Sequence, residues 1–305
     1  VGWPLAALFA LWGAGRVAML TSAHMPAAVA PVIDLAFPLI LGSLILREIV
    51  AGQNWRNLIV LGLLAVFTLA NGIFHAEALS GSYAAQGFGL RLGLATGIMM
   101  IAVIGGRIIP SFTRNWLAKG NNPARPAPPM QRFDKLVLLT SIGILLLWVL
   151  RPFAAQTGAA LIVFGALHLI RQARWTPHLT AREPLVWVLH AAYLFIPLGA
   201  LALGINQIMG SPGTAGAQHL WMAGAIGAMT LAVMTRASLG HTGQALTANR
   251  ATLGIYLCLF GSVLARVWAS GYPSLMHLSG ALWLAAFAGF VIAYAPSLLR
   301  PKPET

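Results

Sequence analysis

The chain contains very little cysteine. Cys258 is its only cysteine among 305 residues, and it lies within an apolar stretch. The sequence therefore excludes an internal disulfide, a Cys-x-x-Cys-His haem attachment and a metal site built from several thiolates. Any bound metal must take its ligands from histidine, methionine or oxygen atoms.

Charge is also scarce, and acidic residues are the scarcest. Charged residues make up 8% of the chain and hydrophobic residues 58%, with a mean hydropathy of +0.79. This composition excludes an ordinary soluble domain. The net charge is +13, but the basic residues are scattered between apolar runs and are not interleaved with aromatic residues on a soluble face. We therefore expect no nucleic-acid partner.

Apolar segments recur between short polar breaks, each close to the length of about twenty residues that a helix needs to cross a bilayer. The alternating pattern of a membrane barrel is absent. We predict an all-α fold, a polytopic transmembrane helical bundle in the lipid bilayer with about ten spans. Their predicted positions are 3–20, 28–47, 57–79, 87–109, 135–152, 157–173, 185–208, 217–235, 251–269 and 275–296.

Lysine and arginine favour one side of these predicted spans. Fifteen of the nineteen follow the even-numbered spans, and only four lie at the opposite ends. Basic residues accumulate in cytoplasmic loops, so the even loops and both termini are predicted to be cytoplasmic. The four exceptions are Arg16, Arg91, Arg151 and Arg266.

The longest polar break, 111–134, contains four prolines and is too polar to be a span. We predict a cytoplasmic linker loop here, between a four-helix N-terminal part, 1–110, and a six-helix C-terminal part, 135–305. Both parts belong to one membrane domain. The chain begins at Val1 and enters a hydrophobic run at once, with no charged leader or cleavage site, which suggests a truncated N-terminus.

The predicted topology sorts the histidines by depth. An imidazole within hydrocarbon is costly unless it is paired or ligated, so a histidine inside a span is a candidate functional group. We expect the histidines that are not discussed individually below to have structural roles only. Toward the outer face lie His24, His75, His219 and His277, and toward the cytoplasm lie His168, His178, His190 and His241.

His219 begins the most informative apolar helix. Met222 and Ile226 follow it on the same helical face, and two small residues, Gly224 and Gly227, flank that face. A porphyrin needs such a shallow apolar wall, with an imidazole nitrogen as axial ligand to the iron. The alternative is that these residues are ordinary core.

Two further histidines have polar neighbours at helical spacing. Asn71 lies one turn before His75 and is expected to orient its ring as a metal ligand, unless His75 simply packs in the core. His190 and Tyr193 share a helical face and are candidates for a proton path or a second metal, or for a hydrogen-bonded core pair. Asp34 is a lone acid in an apolar span and a candidate proton carrier.

Two arginines end predicted spans beside glycines on the cytoplasmic side. Arg107 follows Gly-Gly, and Arg236 precedes a Leu-Gly-His-Thr-Gly segment that contains His241. Guanidinium groups there are candidates to clamp haem propionates or an anionic substrate, or they serve only as membrane anchors.

Four segments together resemble the NnrS family: 70–75, 105–113, 189–193 and 234–243. The resemblance implies a bacterial inner-membrane protein that contains haem and copper and protects cells from nitric oxide and nitrosative stress. It implies nitric oxide or a related small ligand as partner, and His75, His190, His219, His241, Arg107 and Arg236 as cofactor-binding candidates. The family has about twelve spans, and its two further N-terminal spans carry a His-Glu-Met segment that this chain lacks.

Two alternative functions compete with this interpretation. A quinol-linked oxidoreductase of cytochrome type would use the same histidines and arginines. An ion or solute transporter would have helices broken near the middle of the membrane, and only Pro38 and Pro197 lie deep in otherwise regular spans. A visible spectrum separates the transporter from the other two, and quinol-dependent haem reduction separates those from each other. Whether the protein is an enzyme stays open.

Overall fold

The computed structural model describes residues 2–210, 214–269 and 271–299. Helices and the turns between them make up these residues, with no strand among them. The predicted all-α fold is confirmed. The helices are α1 (Gly2–Leu20), α2 (Val29–Ala51), α3 (Leu58–Leu79), α4 (Phe88–Lys119), α5 (Arg132–Leu150), α6 (Ala155–Ala173), α7 (Pro184–Met209), α8 (Thr214–His219), α9 (Ala228–His241), α10 (Arg250–Trp268) and α11 (Ser274–Leu299).

A π-helical segment, Leu220–Gly227, joins α8 to α9 without a break. The three pieces form one long helix that covers the predicted span 217–235 and continues beyond it at both ends. Each π-type turn contains more residues than an α-turn, which changes the side chains that share a face. Such segments occur frequently at functional sites.

Within the described ranges, nine helices are long and apolar enough to cross a membrane. The predicted span that is missing from this set is α6, because its sequence includes His168, Arg171 and Gln172. All three side chains are buried, so the polar side of α6 faces other helices of the protein. The helix is present where the sequence predicted it, but its composition alone does not mark it as a span.

The end of α4 differs from the sequence-based boundary. The helix was predicted to end near residue 109, yet it continues through Pro110 to Lys119. The predicted linker 111–134 is therefore helical at its start, and α5 takes up its end from Arg132. The reason is physical: polar residues mark where the hydrocarbon ends, but a helix can continue into the aqueous layer.

The chain divides into two units, Val1–Met100 and Ile101–Thr305, with the boundary inside α4. The grouping into four and six helices around a linker stays a prediction. In the first unit, α1 to α3 leave many large apolar side chains exposed, such as Phe9 and Leu69. Such surfaces suit contact with lipid chains.

The second unit has a core rich in aromatic residues. Trp148, Trp221, Phe164 and Tyr193 are all almost completely buried there. In the same unit α6 and α7 cross at Gly158 and Gly204, where a Cβ on either glycine would meet the carbonyl oxygen of the other at 2.9 or 2.6 Å. Small residues let two membrane helices approach this closely.

A turn was predicted over residues 210–213. Gly210 ends α7 with a φ of 62°, a left-handed conformation that suits glycine. Ser211, Pro212 and Gly213 lie outside the described residues, as do the basic residues Arg300 and Lys302 that contribute to the predicted charge asymmetry.

Candidate functional site

In the first unit, one buried carboxylate organises three side chains. Asp34 of α2 is 6% exposed and forms an ion pair with Arg16 of α1. Its Oδ2 also accepts a hydrogen bond from Asn71 Nδ2 at 2.8 Å and lies 3.0 Å from His75 Nε2. A buried carboxylate with this many partners is held in place as an ionised acceptor.

This arrangement fixes the state of the His75 ring. An ionised Asp34 can only accept, so Nε2 of His75 carries the proton and Nδ1 keeps its lone pair. Metal-ligating histidines usually donate their second ring N–H to a carboxylate or carbonyl in this way. His75 therefore has the hydrogen bond that is typical of a metal ligand, and Asn71, which was expected to orient the ring, contacts it through Asp34.

In the second unit, His219 is fixed in a comparable way. Its Nδ1 lies 2.7 Å from the carbonyl oxygen of Ala215, one turn earlier on α8. Because that oxygen can only accept, Nδ1 carries the proton, and Nε2 keeps the lone pair that a metal needs. His219 is half-buried and ends the α-helical turn directly before the π-helical segment.

His219 lines a cavity of about 570 Å³ between α8, the π-helical segment, α10 and α11. Two thioethers, Met222 and Met276, line it together with the guanidinium of Arg266 and the indole of Trp283. Most of the remaining wall is apolar. The volume lies within the range of sites that hold small molecules and cofactors.

The face predicted for His219 is partly wrong. Met222 lines the cavity as predicted, but Ala223 takes the place of Ile226. Gly224 makes room for the ring of Phe195, and Gly227 makes room for the indole of Trp283. Prediction assumed α-helical spacing throughout, whereas the π-helical segment rotates the later residues away from that face.

His190 lies near the opposite end of the second unit, in the first half of α7. Its Nε2 is 2.8 Å from Thr113 Oγ1, and its carbonyl oxygen accepts a hydrogen bond from Gln172 Nε2 at 2.6 Å. The predicted pair of His190 and Tyr193 is not formed. Tyr193 OH instead lies 2.8 Å from His168 Nδ1.

Tyr193 and His168 belong to a buried polar network. Arg171 donates from Nε to Asp134 at 2.7 Å, and from Nη1 to Tyr193 OH and to the carbonyl oxygen of Ala102, both at 2.9 Å. At its other end the network reaches Ser141, whose Oγ lies 2.9 Å from His168 Nε2. Both ring nitrogens of His168 have protein partners, so the ring has no nitrogen free for a metal.

The remaining predicted residues lie apart from the His219 cavity. Arg236 places its guanidinium over the ring of Phe112, 4.1 Å from the centroid. Arg107 is half-buried, and His241 is exposed at the end of α9. Neither side chain forms a hydrogen bond or an ion pair with any residue that the structure describes.

Three of the four segments that carry the resemblance meet in the second unit. Segment 105–113 contacts segment 189–193 through Thr113 and His190, and contacts segment 234–243 through Phe112 and Arg236. Gly106, in the Gly-Gly pair, lies directly against the guanidinium of Arg171. Sequence analysis did not identify Arg171 and Asp134 as partners, because they are distant in the chain.

Across residues 2–210, 214–269 and 271–299, no three histidine, cysteine, aspartate or glutamate side chains come together as a metal site. Sequence reasoning missed Arg266 and Met276 at His219. The only indication in the sequence was that both residues lie at ends of predicted spans, on the predicted outer side of the membrane.

Comparison with known proteins gives one match. A family model described as NnrS protein matches residues 1–302, which include all four segments of the resemblance. No curated protein and no solved structure matches the chain.

Proposed function

This chain belongs to the NnrS family, and we propose that it is an inner-membrane protein that binds haem and copper and protects cells from nitric oxide and nitrosative stress. Family membership supports a membrane protein of the nitric-oxide response. The haem, the copper and the residues that hold them go beyond family membership and are proposed here.

The observation that carries the proposal is the state of His219. Its Nδ1–H is committed to the Ala215 carbonyl at 2.7 Å, and its side chain lines a cavity of about 570 Å³. A metal-ligating histidine usually has one ring N–H bonded to a carbonyl or carboxylate and the other nitrogen turned toward the metal, and His219 meets the first condition beside a cavity. We assign His219 as a metal ligand.

The donor set of this cavity fits both groups. A haem iron takes an imidazole axial ligand, and Arg266 supplies the cation that a propionate needs. Cu(I) prefers soft ligands, and Met222 and Met276 supply two thioethers beside the imidazole. Either metal, when bound, supplies a coordination position for a small ligand such as nitric oxide.

The protein's own residues then have definable tasks. Ala215 fixes the tautomer of His219, the apolar wall around Trp283 excludes water, and Arg266 balances negative charge. In the first unit, Asp34 does for His75 what Ala215 does for His219. His75 is therefore our second candidate metal ligand.

The proposal is tested on the purified full chain in detergent. We expect a haem absorption band, copper by elemental analysis, and a shift of the band when nitric oxide is added. Cells that lack the protein should grow more slowly with a nitric-oxide donor and recover when the chain is supplied. A colourless, copper-free protein would contradict the proposal, and so would cells that show no difference in growth.

A further inference from the structure

A second cavity, of about 460 Å³, lies in the second unit near the end of α6 and the start of α7. His190 and Gln172 line it, together with Leu169, Trp187 and Leu194. The His219 cavity lies at the other end of this unit, where α8 and α11 begin and α10 ends. The two cavities are therefore separate sites.

His190 contributes a hydrogen-bond acceptor that has no partner. Thr113 Oγ1 donates its single proton to the carbonyl oxygen of Ile109 at 2.9 Å. Its contact of 2.8 Å with His190 Nε2 must therefore be a hydrogen bond that His190 donates. Nδ1 of the neutral ring then carries a lone pair, and it meets no donor among the described residues.

Gln172 contributes a second acceptor. Its Nε2 donates to the carbonyl oxygen of His190 at 2.6 Å, which fixes the orientation of the amide, because the reverse orientation would bring two oxygens together. Its Oε1 is buried and has no hydrogen-bond partner in the part of the chain that the structure describes. Both residues are more than nine-tenths buried.

A buried acceptor without a hydrogen-bond partner lowers the stability of the protein. Two such acceptors beside one cavity favour a ligand that carries hydrogen-bond donors. A metal cation fits poorly, because the cavity offers two imidazoles, His178 and His190, and one amide oxygen, and no group of three metal-ligating side chains forms in the part of the chain that the structure describes.

The route into the cavity is apolar. Trp187 and Leu194 line the cavity and are also 37% and 36% exposed, on helices whose outer surfaces suit lipid contact. A ligand that enters between these two side chains must be soluble in lipid. The indole of Trp187 offers an aromatic surface for a planar ring.

From these features we propose that the cavity binds the head group of a lipid-soluble hydroquinone, whose ring hydroxyl groups donate hydrogen bonds to His190 Nδ1 and Gln172 Oε1. In the described conformation both atoms are buried, so binding includes a rotation of the two side chains toward the cavity. The oxidised quinone has carbonyl oxygens in place of the hydroxyl groups. These oxygens would face the two acceptors of the site with no proton between them. The site therefore binds the reduced form more tightly.

This inference concerns binding and does not depend on haem or copper. It is tested on the full chain in detergent, by calorimetric titration with three probes that share one decyl chain: a hydroquinone, its quinone and its dimethyl ether. We expect the hydroquinone to bind at one site, at least about tenfold more tightly than the other two, because each of those lacks hydroxyl donors. This comparison needs no variant and so does not depend on how a variant folds.

Two variants locate the site. His190→Phe and Gln172→Leu should each remove most of the preference for hydroquinone over its dimethyl ether, whereas His24→Phe, a matched change at an exposed histidine of the first unit, should keep it. Equal binding of all three probes, no binding of hydroquinone, or an unchanged preference in both variants would overturn the proposal. Loss of a bound metal from His190→Phe protein, with no hydroquinone binding to the unmodified chain, would overturn it in favour of a metal site.

Discussion

At the scale of single residues, polar groups in a membrane protein are informative because each must find a partner. His75, His168, His190 and His219 all find one, but the partners differ in what they leave available. His168 has both nitrogens occupied, whereas His75, His190 and His219 each have one nitrogen fixed and one lone pair left. This difference separates structural histidines from candidate ligands better than burial does.

Sequence spacing predicted which residues share a helix but not which residues meet between helices. Asn71 was expected to orient the ring of His75, and Asp34 was expected to be a lone acid. In the structure Asp34 binds both. That contact joins residues from two helices, and no helical period in the sequence encodes it.

Asp34→Asn tests the orientation of His75. Asparagine has no charge and can itself donate, so the proton on His75 Nε2 is no longer specified. We expect affinity for the metal that His75 holds to fall about tenfold, as for other lost partners of metal ligands. Titration with a chromophoric Cu(I) chelator and the haem band measure the two metals. Glu48→Gln, an exposed acid paired with neighbouring Arg47, is the control. Unchanged retention of both metals in folded Asp34→Asn protein would argue against this role.

Arg266→Lys tests the charge partner of a haem. Arg266 lines the cavity of His219, whereas Arg107 and Arg236 do not. A lysine keeps the charge but loses the bidentate guanidinium, so haem retention through purification should fall. The same change at Arg107 or Arg236 should leave retention unaltered. The reverse pattern would return the propionate role to Arg107 and Arg236, as first expected from sequence.

At the scale of helices, composition predicted that the long helices exist but misplaced some of their features. The segment of α6 was predicted as an ordinary apolar span, although its polar residues form one buried face. The π-helical segment after His219 could not be predicted, since its spacing depends on packing of Phe195 and Trp283 against Gly224 and Gly227. Hydropathy reports the environment of a segment, and neighbouring helices decide its local geometry.

Gly106→Ala tests the packing of α4 on α6. A Cβ at Gly106 would occupy the position of the Arg171 guanidinium, which is buried with Asp134. Displacing one partner of a buried ion pair should lower the free energy of unfolding by about 3 kcal/mol. Gly143→Ala is the matched control, because a Cβ there meets nothing within 4 Å. Unfolding in detergent with increasing denaturant gives both values. Equal stability of the two variants would contradict the packing described for Arg171.

At the scale of the whole molecule, composition was enough to predict a helical membrane protein, and four short segments were enough to predict the family. Both are confirmed. The site was less predictable because its residues come from helices far apart in the chain. His219 was a candidate from the sequence, whereas Arg266 and Met276, which line the same cavity, were not.

The orientation in the membrane rests on fifteen basic residues against four. Reporter fusions after Pro123 and after Arg182 should report the cytoplasm, and a fusion after Ser82 should report the periplasm. A periplasmic signal after Pro123 would reverse the assignment of both ends of the molecule. The fusions also test the crossing by α6, which lies between Pro123 and Arg182.

The central claim is that His219 is a metal ligand, and one comparison tests it most directly. The visible spectrum and the copper content of His219→Ala protein are measured beside those of His277→Ala, a nearby histidine that is exposed and does not line the cavity. Losing a metal ligand should change spectrum and metal affinity together. We predict that His219→Ala protein folds but loses or shifts its haem band or loses copper, while His277→Ala protein keeps both. Full haem and copper content with an unshifted spectrum in His219→Ala protein would contradict the claim.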